Sequence, residues 1–119
     1  MADKKVLVVD DEENIRLLYK DAFEEDGYSV ALSDGSEPIL EVLSRESPDV
    51  VILDIKLNQK LTGLDLLQDI RSVSTTIPVI LSTAYDSFQH DIKSIAADHY
   101  VVKSVDLTEL KEKVASFFE

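Results

Sequence analysis

Short apolar runs alternate with longer amphipathic stretches along this chain. Val6-Leu7-Val8-Val9 is the first run and stops at Asp10-Asp11. Tyr28 to Leu32 is a second, more polar one. Val50-Val51-Ile52-Leu53 stops at Asp54, Val79-Ile80-Leu81 at Ser82-Thr83, and Tyr100-Val101-Val102 at Lys103. Runs this short, β-branched and apolar at consecutive positions predict strands buried on both faces, as in a parallel sheet.

Helical periodicity fills the intervals. Ile15, Leu18, Ala22 and Phe23 fall on one face, with Gly27 as a stop. Ile39, Leu40 and Leu43 make the next stripe, with Ser36 as expected N-cap and Pro38 in the first turn. Leu64, Leu67 and Ile70 follow Gly63, and Phe88, Ile92, Ile95 and Ala96 form a fourth stripe. Leu107, Leu110, Val114 and Phe117 form the last, where Asp106 and Glu109 have the spacing of a capping box. Strand and helix units alternating in this way predict an α/β fold, a doubly wound parallel sheet of five strands.

Composition narrows the class. The 119 residues suit one domain, expected over residues 1–119, and 45% apolar residues can build a core. Twelve Lys+Arg against 24 Asp+Glu leave a net charge of -12, which argues against nucleic-acid binding and anionic membranes. The absence of Cys excludes disulfides and thiolate metal sites. No run reaches the roughly 18 apolar residues of a membrane span, and no signal peptide precedes Val6, so a cytoplasmic protein is expected.

Doubly wound sheets bind ligands at the carboxyl ends of their strands, where the strand order reverses. For the order 2-1-3-4-5 that rim gathers Asp10, Asp11 and Asp54, with Thr83 and Lys103 on the neighbouring strand ends. Clustered carboxylates repel one another, and a divalent cation relieves the repulsion. Oxygen-only donors suit Mg²⁺, which binds one or two carboxylates beside a phosphate. Lys103 and Thr83 offer a point charge and a hydroxyl to phosphoryl oxygens. The three glycines form neither a G-x-G-x-x-G nor a P-loop, and there is no G-x-S-x-G.

At these residues the chain resembles a response-regulator receiver domain, the CheY-like, flavodoxin-type fold of two-component signalling. The motifs are the Val6–Asp11 segment, Leu53-Asp54-Ile55-Lys56, Ser82-Thr83-Ala84 and Tyr100-Val101-Val102-Lys103. The resemblance implies that Asp54 is the phosphoacceptor for a sensor histidine kinase or phosphotransfer protein. It implies Mg²⁺ on Asp11, Asp54 and the Lys56 backbone carbonyl, with Asp10 acting through water. Lys103 would pair with the phosphoryl group, and Thr83 and Tyr100 would form the switch. Lys56 and Tyr85 would flank the path of hydrolytic water and slow dephosphorylation.

The resemblance also implies a downstream target on the fourth helix, fifth strand and fifth helix, and kinase docking near Ile15 and Leu18. No direct nucleic-acid contact and no membrane insertion are expected. The chain departs from the family pattern at Ser104, where Pro is usual, at Asn58, at Gly63, one position late, and at Ala96. A trans Lys103–Ser104 peptide is expected, because cis costs about 2.5–4 kcal/mol before a non-proline residue. Two other readings are a small Mg²⁺-dependent phosphohydrolase and a degenerate receiver that only binds a partner. Against the first, Lys56 stands where a second catalytic carboxylate would be needed.

Overall fold

The computed structural model describes residues 4–55, 62–83, 97–103 and 106–118. Its elements are β1 (Lys5–Val9), α1 (Glu13–Glu25), β2 (Ser29–Ser33), α2 (Ile39–Glu46) and β3 (Val50–Leu53). α3 (Gly63–Val73), β4 (Val79–Thr83), β5 (His99–Val102) and α4 (Thr108–Ser116) follow. The five strands are all parallel, in the order β2-β1-β3-β4-β5, as expected. β2 is an edge strand with one buried residue, Ser33, which explains its more polar run.

Strand alternation divides the apolar residues into two cores. Leu7, Val9, Val51, Leu53, Val79 and Leu81 face one side and meet α2 and α3 through Ile39, Val42, Leu64, Leu66, Leu67 and Ile70. Val6, Val8, Val50, Ile52, Ile80 and Val101 face the other, against Tyr19 and Phe23 of α1 and Leu110 and Val114 of α4. With both faces covered, the central strands read as unbroken apolar runs.

The helix boundaries hold locally readable chemistry. Gly27, at φ +95, ends α1 in a Schellman turn: Tyr28 N–H donates to Phe23 O (3.0 Å) and Gly27 N–H to Glu24 O (3.0 Å). The Phe23 and Tyr28 rings close that turn at 5.8 Å. A capping box does occur, but at α3, where Thr62 and Asp65 exchange side-chain and backbone bonds.

Several expectations need correction. In α1 the buried residues are Tyr19 and Phe23, whereas Leu18 is exposed. The inward stripe is Ile15, Tyr19 and Phe23, an i, i+4 row. In α2, Val42 is buried and Leu40 exposed, so the face is turned from the predicted one. Ser36 does not cap α2: Pro38 occupies the N-cap, and Ser36 is held by Asp34 Oδ1 through its N–H (2.8 Å) and hydroxyl (2.6 Å). At α4, Asp106 Oδ1 accepts from Thr108 N–H (2.9 Å) and Oγ1 (2.6 Å), an Asx turn within the helix start. The stripe through Phe88, Ile92, Ile95 and Ala96 lies outside the described residues, as do Lys56, Asn58, Tyr85 and Ser104.

Candidate functional site

The ladder hydrogen bonds continue one residue past β1 and β3. Asp10 N–H donates to Ser33 O (3.0 Å) and Asp54 N–H to Val9 O (2.9 Å). These bonds fix both aspartates at neighbouring strand ends, so two carboxylates must share one small volume. Asp10 and Asp54 are 2% and 4% exposed, a burial that charged groups sustain only when paired.

Lys103 provides the pairing. Its Nζ lies 2.7 Å from Asp10 Oδ2 and 3.1 Å from Asp54 Oδ2, having crossed from the end of β5. Burial lowers the ammonium pKa, but the hydrogen bond from Lys103 to Asp10 and the charges of Asp54 and Asp10 outweigh it. The net shift is upward, and Lys103 stays charged.

The turn after β1 carries the rest of the acidic rim. Glu12 N–H donates to Asp10 Oδ1 (2.9 Å), and carboxylate oxygens of Asp10, Asp11 and Glu12 lie within 4.8 Å of one another. Arg16 Nη1 donates to Asp10 O (2.8 Å), tying α1 to the same turn. Asp11 and Glu12 are exposed and Asp10 is buried, so the rim opens outward from Lys103. Oxygen-only donors with negative charge in excess fit a hard divalent cation such as Mg²⁺.

A glycine lets the start of α3 meet the end of β3. Gly63 N–H donates to Ile55 O (2.6 Å), and a Cβ at position 63 would overlap the Asp54 carbonyl oxygen. Only glycine allows the start of α3 this close to the Asp54 backbone.

The structure therefore brings Asp10, Asp11, Asp54 and Lys103 together. The backbone of Thr83 pairs with Val102 at the end of β4. Tyr100 is half-buried in edge strand β5 and packs against the core shared with α2 and α3. Lys56 and Tyr85 lie outside the described residues. Sequence reasoning missed Glu12, Arg16, Tyr19 and Ser82. Glu12 directly follows the acidic doublet, and Tyr19 lies four residues from both Ile15 and Phe23, which was the available signal for each.

Tyr19 Oη and Ser82 Oγ form a hydrogen bond of 3.1 Å in the core between α1 and the sheet. Burial raises the Tyr19 pKa, although the Ser82 bond and the Lys103 charge pull the other way. The phenol stays neutral, within the electrostatic reach of Lys103, Asp10 and Asp54.

A five-stranded parallel sheet with an acidic rim braced by one lysine defines the receiver class of signalling domain. The comparisons carry this to the family. The response regulator receiver domain profile matches residues 6–115, and the chain belongs to that family. It is 29% identical over 119 residues to sporulation initiation phosphotransferase F of Bacillus subtilis (strain 168), covering 98% of this chain and 95% of that protein. It is 34% identical over 111 residues to the regulatory protein AtoC of Escherichia coli (strain K12), covering 92% of this chain but 24% of that protein.

Among solved structures, response regulator protein TrrA of Thermotoga maritima in complex with Mg²⁺-BeF superposes with a TM-score of 0.90 at 42% identity. That match covers 96% of this chain and 98% of the other. The complex of histidine kinase ThkA with TrrA matches at 41% identity and a TM-score of 0.88, covering 98% of this chain and 99% of the other.

Proposed function

We propose that this receiver domain, over residues 1–119, is a switch in which Asp54 accepts a phosphoryl group from a phosphohistidine. The donor is a sensor histidine kinase or a phosphotransfer protein in the cytoplasm. The observation that carries the reading is the Lys103 ammonium shared by Asp10 and Asp54 at adjoining strand ends. Likeness to TrrA with Mg²⁺-BeF, and to TrrA with a histidine kinase, supports the reaction class. No described helix is long and apolar enough to cross a membrane.

In the transfer, an Asp54 carboxylate oxygen forms a bond to phosphorus as the phosphorus–nitrogen bond of phosphohistidine breaks. The electron pair of that bond returns to the imidazole. Asp10, Asp11, Asp54 and the Lys56 backbone carbonyl would hold Mg²⁺, and Glu12 stands close enough to join them. When bound, Mg²⁺ supplies charge neutralisation at the phosphoryl oxygens. Lys103 already lies against Asp54 and needs little movement to reach a phosphoryl oxygen, which is electrostatic preorganisation.

Thr83 then hydrogen-bonds a phosphoryl oxygen and Tyr100 turns inward from the half-buried edge of the sheet. This biases a two-state equilibrium on the face formed by the fourth helix of the family, β5 and α4. That face takes the downstream target.

Lys56 and Tyr85 shield the acyl phosphate from water and give a long-lived state suited to a relay. Decay of the phosphorylated protein, compared with Lys56→Asn/Tyr85→Glu, tests this. A double variant that decays no faster removes the shielding role.

The domain is not a turnover enzyme. Incubation with Mg²⁺ and acetyl phosphate, followed by intact mass and free-phosphate measurement, separates the readings. The switch gives a persistent adduct of one phosphoryl group. Sustained phosphate release without an adduct would make the protein a hydrolase, and neither product would make it a binding module only.

A further inference from the structure

Tyr19 is a buried polar residue that the transfer reaction leaves unused, and its placement is demanding. α1 packs over β1 and β2, whereas Ser82 belongs to β4, on the far side of β3. From β1 to β4 is two strand spacings, about 9–10 Å. A tyrosine can reach that far, and its hydroxyl meets Ser82 Oγ at 3.1 Å across 63 residues of sequence. Both residues are nearly sealed from solvent, at 2% and 1% exposure.

Among the described residues, the apolar surroundings favour this bond. Val8, Ile52, Ile80 and Val101 form the apolar layer around α1 and offer no hydroxyl partner of their own. Each hydroxyl would be costly to bury without the other, so the pair holds one arrangement. Ser82 immediately precedes Thr83, and the two pair with Val101 and Val102, next to Lys103. Tyr19 also lies within the field of Lys103, Asp10 and Asp54.

We propose that Tyr19 is a positioning residue for the phosphoryl site: through Ser82 it fixes the carboxyl end of β4 against α1, and so sets where Thr83 meets the group on Asp54. The inference rests on the proposed role of Asp54. It treats the two hydroxyls as placement for the site, where an apolar pair of similar volume would serve packing alone.

The test measures binding of beryllofluoride in the presence of Mg²⁺ by fluorine NMR, and of Mg²⁺ alone. It uses wild type, Tyr19→Phe, Ser82→Ala and the double variant, with urea unfolding of each. Tyr19→Phe weakens beryllofluoride binding about three- to tenfold, the range expected for one hydrogen bond. Mg²⁺ affinity is unchanged, because the acidic turn after β1 is untouched.

The double variant separates positioning from packing. Removing the orphaned Ser82 hydroxyl restores stability lost in Tyr19→Phe, while beryllofluoride affinity stays low. Affinity that returns together with stability, or that never falls in Tyr19→Phe, overturns the proposal. Wild type that binds Mg²⁺ but no beryllofluoride overturns the Asp54 reading itself, and the Tyr19 role falls with it.

Discussion

Among the described residues, Lys103 bridges two nearly buried carboxylates. Its ammonium compensates two carboxylates that are almost fully buried, at 2.7 and 3.1 Å. Lys103→Met keeps much of the side-chain volume and removes the ammonium from between the Asp10 and Asp54 carboxylates. The expected cost without Mg²⁺ is about 3 kcal/mol, the low end for breaking a buried pair by removing one partner. Mg²⁺ recovers part of the loss, because a cation on the acidic rim replaces the missing charge. Urea unfolding with EDTA and with Mg²⁺ measures both effects. A Lys103→Met protein as stable as wild type in EDTA would show that the ammonium is not bracing the pair. Asp10, Asp54 and Lys103 were legible in the sequence because each ends an apolar run, where the strand-end rule makes a definite placement. Tyr19 was not, because helical periodicity alone let the neighbouring Leu18 serve equally well as the inward residue.

At the scale of elements, one helix boundary touches the site and another tests local charge. The start of α3 presses on the Asp54 backbone, and Gly63 allows it. Gly63→Ala is expected to displace that contact, to cost about 1–3 kcal/mol as an overpacked site, and to slow phosphorylation by acetyl phosphate. Unchanged phosphorylation kinetics would mean that the approach of α3 does not place Asp54.

The start of α4 offers a pH-dependent check. The Asp106 carboxyl is held below its ordinary value, first by the Thr108 hydroxyl and then by the Thr108 N–H. A depressed carboxylate stabilises the fold above its unfolded value of 3.8, and that stability is lost as pH falls through the lower folded value. The urea midpoint of Asp106→Ala should therefore lie below that of wild type at pH 7, and the gap should close below about pH 4. A gap that persists in acid would assign the effect to something other than the charged Asp106 turn. The true capping box sits at Thr62–Asp65, because Asp can replace Glu at that third position only when the local backbone brings it back to the cap, which spacing does not reveal.

At the scale of the whole molecule, the sheet order was legible because buried parallel strands leave unbroken apolar runs, here Val6–Val9, Val50–Leu53 and Val79–Leu81. Helix faces were less legible. α1 and α2 cover one side of the sheet each, and exposed leucines such as Leu17, Leu18 and Leu40 blur their apolar stripes. The site emerges only at this scale, since its charged residues follow β1, β3 and β5, in distant parts of the chain. The central claim is that the rim these strands form makes Asp54 the phosphoacceptor. Its most direct measurement is to incubate the protein with acetyl phosphate and Mg²⁺, trap the acyl phosphate with borohydride, and map the trapped residue by peptide mass spectrometry. The account predicts a single modified residue, Asp54, and no modification in a folded Asp54→Ala protein. Trapping at Asp10, Asp11 or another carboxylate, or undiminished labelling of Asp54→Ala, would contradict it.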